Sequence, residues 1–297
     1  MGLFRILSFR LPTLPLTRPL SIAQQVRSVK RSAYTWPQRD ERFPFEEEYV
    51  LDGQRLTPES VIDLLAPLVT PERLAALDKI VASRTFEVVP VVEGLYDQGN
   101  FGAVCRSAEG FGFGSIHVIS YAAPTFKTAR QRNSSGAEKW LHVRKWRSAK
   151  DCISMLKSSG FKVIATALSK QSVPVSEVDW SRPTAVIFGN EKEGVSQEVL
   201  EGADHLVHLP MQGFVTSFNI SCAAAVVLWE ARRCRMQSLG SQHELPASQQ
   251  AILKAAMLLR HTGTHGRGAE LLRGLAERRD SKQDVATLAG ELSRLKH

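Results

Sequence analysis

The chain has 297 residues and an apolar fraction of 43%, which is ordinary for a globular protein and enough for one sizeable α/β domain with extensions. The longest unbroken apolar run, Cys222 to Trp229, is far too short to cross a bilayer, and four cysteines without a C-x-x-C pair argue against both a disulfide framework and structural zinc. The net charge of +8 belongs to the ends: residues 1–39 carry seven basic residues and no acid and residues 246–297 carry +4, which leaves −3 between them, so global charge is no argument for nucleic-acid binding.

In chain order, residues 1–39 are Arg-rich, acid-free and dotted with Ser, Thr and Pro, the composition of an organelle transit peptide. The alternative is a disordered basic arm that binds RNA. The first reading places the protein in a mitochondrion or chloroplast, the second in the cytoplasm. Residues 40–60 read as an acidic, turn-rich linker. A helix is predicted over 71–83, with Thr70 as N-cap and Pro71 at N1, completing an N-terminal extension over 40–84.

From about residue 85 to 240, apolar strand candidates at 87–92, 115–119, 161–166, 184–188 and 205–209 alternate with helix candidates at 101–110, 148–158, 196–202 and 217–238. This pattern predicts an α/β domain with a mostly parallel sheet and helices on both faces. Ligands of such sheets bind in loops at the carboxyl ends of strands. Within it, residues 127–150 hold eight basic residues and one acid, Glu138, with Trp140 and Trp146 interleaved. Such a stretch can neutralise phosphates while its aromatics stack bases, or it is a solvated face with two tryptophans turned inward. Residues 241–297 read as a helical C-terminal extension in which Ile252, Ala256 and Leu259 share a face, as do Leu288, Leu292 and Leu295. His261 and His265 flank Gly263 and so make a poor helical metal pair; no metal is expected. Gly110-Phe-Gly-Phe-Gly114 follows a helix and precedes a strand, the reverse of a dinucleotide-binding fingerprint.

Three segments in the loops carry the chemistry: Asn100-Phe-Gly-Ala-Val-Cys-Arg106, Phe188-Gly-Asn-Glu191-Lys-Glu-Gly194, and Leu209-Pro-Met-Gln-Gly213-Phe-Val-Thr-Ser217-Phe-Asn219. Arg106 lies among small and apolar residues, where a guanidinium needs a partner; a structural ion pair is the plain explanation. Asn100 is expected to cap the start of its helix. Gly189 and Gly194 permit a tight turn after a strand. Ser217 and Asn219 are expected to open a helix whose amides favour an anion.

Together these segments resemble motifs one, two and three of the SpoU (TrmH) family of RNA ribose 2′-O-methyltransferases. The likeness runs from about Thr70 to Leu239 and favours the tRNA guanosine branch, through Thr70-Pro-Glu-Arg73, Asn133-Ser-Ser-Gly136 with Trp140, and Asp179-Trp-Ser-Arg-Pro183. It implies a SPOUT-type fold with a C-terminal trefoil knot, S-adenosylmethionine as cofactor, a homodimer and an RNA partner, tRNA before rRNA. The catalytic residues it implies are Arg106, Asn100, Glu191, Ser217 and Asn219. The donor pocket it implies comprises Thr166, Gly189, Asn190, Gly194, Leu209, Met211, Ser217 and Phe218, the last standing where the family usually has leucine. Lys127, Arg130, Arg132, Arg144 and Lys145 are the candidate RNA-binding residues. A catalytically silent RNA-binding factor on the same fold is the rival reading, and intact Asn100, Arg106, Glu191, Ser217 and Asn219 argue against it. A small-molecule enzyme is disfavoured by the basic 127–150 stretch.

Overall fold

The computed structural model describes residues 42–51, 53–95, 97–121, 135–240, 245–262 and 272–274. The acid-free segment 1–39, the basic residues Lys127, Arg130 and Arg132, and the face shared by Leu288, Leu292 and Leu295 lie outside the described residues.

Helix starts follow their caps. α1 (Pro58–Leu65) begins after Thr57, whose hydroxyl accepts the Ser60 N–H, and α2 (Pro71–Ala82) after Thr70, which accepts from Arg73; both place proline in the first turn. α3 (Gln98–Gly110) starts at Asp97, α4 (Ala149–Ser158) at Ser148 and α5 (Gln197–Gly202) at Ser196. α6 (Ile220–Leu239) starts at Asn219, and α7 is Ala247–Thr262.

Residues expected to be a linker hold structure instead. The strands β1 (Tyr49–Leu51) and β2 (Gln54–Leu56) pair antiparallel, and Phe43 and Phe45 before them are buried. The acids in this stretch mask an apolar set that packs elsewhere. Its partner is the C-terminal α7: Phe45, Leu51, Val61, Leu65, Leu77 and Val81 share one core with Ile252, Leu253, Met257, Leu258 and Leu259. The segments before and after the sheet domain therefore fold as one body.

The sheet has seven strands: β3 (Val88–Glu93), β4 (Ser115–Ile119), β5 (His142–Trp146), β6 (Lys162–Thr166), β7 (Val173–Pro174), β8 (Thr184–Phe188) and β9 (His205–His208). Their spatial order is β5-β4-β3-β8-β6-β9-β7, with every pair parallel. β3, β4 and β8 are buried along their whole length, as the centre of a doubly covered sheet requires. α3 and α6 cover one face through Val104, Ala108, Ala224, Val227 and Leu228; α4 and α5 cover the other through Cys152, Leu156 and Val199.

The basic stretch contains an unexpected edge strand, β5, in register with β4 from Ser115↔His142 to Ile119↔Trp146. Trp146 is partly buried and its ring lies 4.1 Å beneath the Arg144 guanidinium. Trp140 is partly buried against the terminal core, stacked on His261 with Lys139 over its ring. Both tryptophans are thus turned inward and already have ring partners. Two arginines join the terminal body to the sheet domain. The Arg84 Nη1 donates to the Glu109 and Phe113 carbonyls while its Nη2 pairs with the Glu109 carboxylate at 3.0 Å. Arg260 donates to the carbonyls of Lys139 and Leu141.

Candidate active site

The carboxyl ends of β6, β8 and β9 open into one cavity of about 380 Å³. Thr166 enters it from the end of β6, its hydroxyl donating to the Ile187 carbonyl at 3.2 Å. The turn after β8 supplies Gly189, Asn190, Glu191 and Gly194, and the segment after β9 supplies Leu209, Met211, Ser217 and Phe218. Every residue expected to hold the donor lines this cavity.

The turn is built by its glycines and one asparagine. Asn190 and Gly194 exchange both backbone hydrogen bonds at 3.1 and 3.0 Å, and the Asn190 side-chain oxygen accepts the N–H groups of Lys192 and Glu193. Gly194 has φ +70°, a conformation side chains rarely adopt, and a Cβ on Gly189 would lie 2.0 Å from the Gly194 carbonyl carbon. Glu191 is exposed at the tip.

A second cavity of about 690 Å³ is lined by Asp97, Asn100, Ala103, Arg106, Phe111 and Ser221, among others, and meets the first where Asn100 contacts Glu191. Three side chains join the two. The Asn100 Nδ2 donates to the Glu191 Oε1 at 2.6 Å, and the Asn219 Nδ2 reaches the Asn100 Oδ1 at 3.3 Å and the Glu191 Oε1 at 3.4 Å. Residues from all three sequence segments, up to 119 positions apart, therefore meet in one polar cluster.

Three expectations change in detail. Arg106 is exposed on α3, while Val104, Cys105 and Ala108 of the same helix face the core. It makes no hydrogen bond or ion pair with another described residue, so it is not a structural ion pair within them. Asn100 does not cap its helix; Asp97 does, accepting the Gly99 N–H at 2.7 Å, which leaves Asn100 in the first turn to meet Glu191. Ser217 lies exposed ahead of α6 rather than opening it, because Asn219 takes the cap by accepting the Ser221 N–H at 2.9 Å. Arg144 and Lys145, expected to contact RNA rather than the donor, sit on the edge strand β5 and line neither cavity.

Sequence reading missed Ser221, whose hydroxyl donates to the Asn219 Oδ1 at 2.6 Å and which lines the second cavity together with Arg106. It also missed Glu93, an acid ending an otherwise apolar strand; that one charge in Val-Val-Pro-Val-Val-Glu was its only signal.

Comparison with known proteins matches this arrangement. The model of the SpoU rRNA Methylase family covers residues 87–229. Over 171 residues the chain is 35% identical to the tRNA (guanosine(18)-2′-O)-methyltransferase of Thermus thermophilus, spanning 57% of this chain and 86% of that protein. The chain belongs to the SpoU methylase family. A second SpoU relative, the Escherichia coli K12 protein of the same name, is 32% identical over 186 residues and is 80% covered. Among solved SpoU structures, the tRNA modifying enzyme of A. aeolicus is similar with a TM-score of 0.57 at 30% identity, spanning 63% of this chain and 95% of that one. The parallel sheet and its covering helices are thus a SpoU fold.

Proposed function

We propose that this SpoU protein methylates a ribose 2′-hydroxyl in tRNA, on a guanosine, with S-adenosylmethionine as donor. The observation that carries the reading is the Asn100–Glu191–Asn219 cluster, because it sits where a donor cavity and an Arg106 cavity meet. The first cavity fits the donor: its volume lies in the small-ligand range, its lining comes from the segments after β6, β8 and β9, and no Cβ could be added at Gly189. When bound, S-adenosylmethionine supplies an electrophilic methyl group on a sulfonium. The chain's own residues then have two tasks. Glu191 places a negative charge at the rim of the donor cavity, oriented by two amide donors. A guanidinium does not act as a base in proteins, so Arg106 grips the phosphate beside the target ribose and orients the hydroxyl rather than removing its proton. tRNA is preferred to rRNA because the relatives named above act on tRNA guanosine by name.

A homodimer belongs to this proposal. Cys222, Val226, Trp229, Met236 and Leu239 are exposed along one side of α6, and Phe214, Val215 and Phe218 are exposed just before it. Trp229 also contacts Phe111, which lines the Arg106 cavity, so a second copy seated on this stripe would border the site. The knot implied by the resemblance is retained in the same spirit: the segments after β6, β8 and β9 all converge on the donor cavity.

The test is transfer of labelled methyl from S-adenosylmethionine to total tRNA. Arg106→Ala should lower transfer by at least about 100-fold, as loss of a charge-stabilising group does, with calorimetric donor affinity unchanged. Near-normal turnover in that variant, or transfer to rRNA alone, would refute the assignment.

A further inference from the structure

Glu93 is the last residue of β3 and is 2% exposed, with five apolar residues before it. A carboxylate in such a place is costly unless donors surround it. It has three. Its Oε2 accepts the Ser196 N–H at 2.8 Å, and its Oε1 accepts the Ser196 hydroxyl at 2.7 Å and the Tyr121 hydroxyl. Ser196 is itself the N-cap of α5, accepting the Val199 N–H at 3.3 Å, and Tyr121 follows β4. One buried carboxylate therefore joins the ends of β3 and β4 to the start of α5.

What Ser196 terminates is the turn that carries Glu191. The Asn190–Gly194 bonds close that turn on itself, while the Glu93–Ser196 pair fixes it to the sheet. Glu93 also begins the seven-residue run to Asn100, the partner of Glu191 at 2.6 Å. Both halves of the Asn100–Glu191 contact are thus referred to the same carboxylate.

We infer that Glu93 is a positioning residue for methyl transfer: by holding Ser196 it sets the Glu191 turn against Asn100 and Asn219 and gives the donor cavity its wall. The inference rests on the function proposed above. A buried acid that merely stabilised the sheet would affect melting temperature without favouring one loop.

The experiment uses the full chain with three variants, Glu93→Gln, Ser196→Ala and Tyr121→Phe. Hydrogen exchange is followed in the donor-free protein, and calorimetry measures affinity for S-adenosylmethionine. Glu93→Gln should speed exchange selectively over 189–196, leave β4 and β8 as in the parent, and weaken donor binding roughly tenfold, as removal of a buried hydrogen-bond partner does. Its kcat should fall while the KM for tRNA stays constant. Ser196→Ala should do the same to a smaller degree and Tyr121→Phe least. Parent-like exchange over 189–196 and parent-like donor affinity, even with a lower Tm, would overturn the inference. If Glu93→Gln does not fold, the other two variants decide, since each removes one donor. Should the parent transfer no methyl group, the proposed function fails and the exchange data alone decide whether Glu93 holds the turn.

Discussion

Single residues in this chain take their roles from which side of an element they occupy. Arg106 faces solvent while its neighbour Cys105 is fully buried, and burial, with Glu138 adding to it, raises that thiol well above its usual range. One step along α3 thus separates a packing group from a charged one. His117 is a buried counterpart on β4. Its ring lies 5.9 Å from Trp146 and 6.2 Å from His142, and burial, then His142 and Arg144, push its pKa down to about 3. Folded His117 therefore stays neutral, whereas in the unfolded chain it protonates near pH ~6.5. The unfolded state binds the extra proton between these values, so this stability is full above about pH 6.5 and declines as the pH falls toward 3. In thermal melts across pH, His117→Gln should lose less Tm than the parent below about pH 6.5. Parallel curves for the two proteins would show that His117 does not contribute.

At the scale of elements, the turn between β8 and α5 is the least tolerant piece. A Cβ at Gly189 would meet backbone atoms of Gly194 and Val195 at 2.0–2.2 Å, and backbone cannot rotate away as a side chain can. Gly189→Ala should therefore displace the turn and abolish detectable donor binding in calorimetry, whereas Gly213→Ala, with nothing within 4 Å of its added Cβ, should bind as the parent does. Equal affinities in the two variants would remove the turn from the donor site. The strands with uniform apolar runs were readable from sequence: β4 and β8 lie where the pattern puts them, because both faces of each are buried. β5 was not, since an edge strand with one half-exposed side reads as a charge run: His142-Val-Arg-Lys-Trp146 has no apolar period. The hairpin β1–β2 escaped notice because its buried residues, Tyr49, Leu51 and Leu56, are separated by polar ones and find their partners some 200 positions away. Of the candidate site, motif resemblance picked out residues that do line one cavity, but it could not show their contacts. Periodicity cannot show that Asn100 gives up the cap to Asp97, or that Glu93 reaches Ser196 across 103 positions.

At the scale of the molecule, the described residues form a sheet domain with a core on each face and a terminal body with a core of its own. Buried Arg84 and half-buried Arg260 join them, and for Arg84 burial lowers the pKa while the Glu109 carboxylate opposes that effect. The same scale holds the exposed stripe of α6. Trp229 is 52% exposed and Val226 48%, values that a monomer has no packing reason to select together. Trp229→Glu places a charge at the centre of the stripe. In sedimentation the parent should run as a dimer and the variant as a monomer, with methyl transfer reduced because the Arg106 cavity loses its neighbouring surface. A parent that sediments as a monomer would end the dimer proposal.

The pairing of residues 42–86 with α7 has a consequence in time. Synthesis proceeds from the amino end at about 5–20 residues per second, so the apolar side of α1 and α2 leaves the ribosome on the order of 10–40 s before Ile252 and Leu258 can cover it. Throughout that interval the nascent chain presents Val61, Leu65 and Leu77 without their final partner. The sheet domain can close around its own two cores in the meantime, since its strands and covering helices lie within residues 88–239. Folding is therefore expected to run from the middle outward, with residues 42–86 finished only once α7 is made.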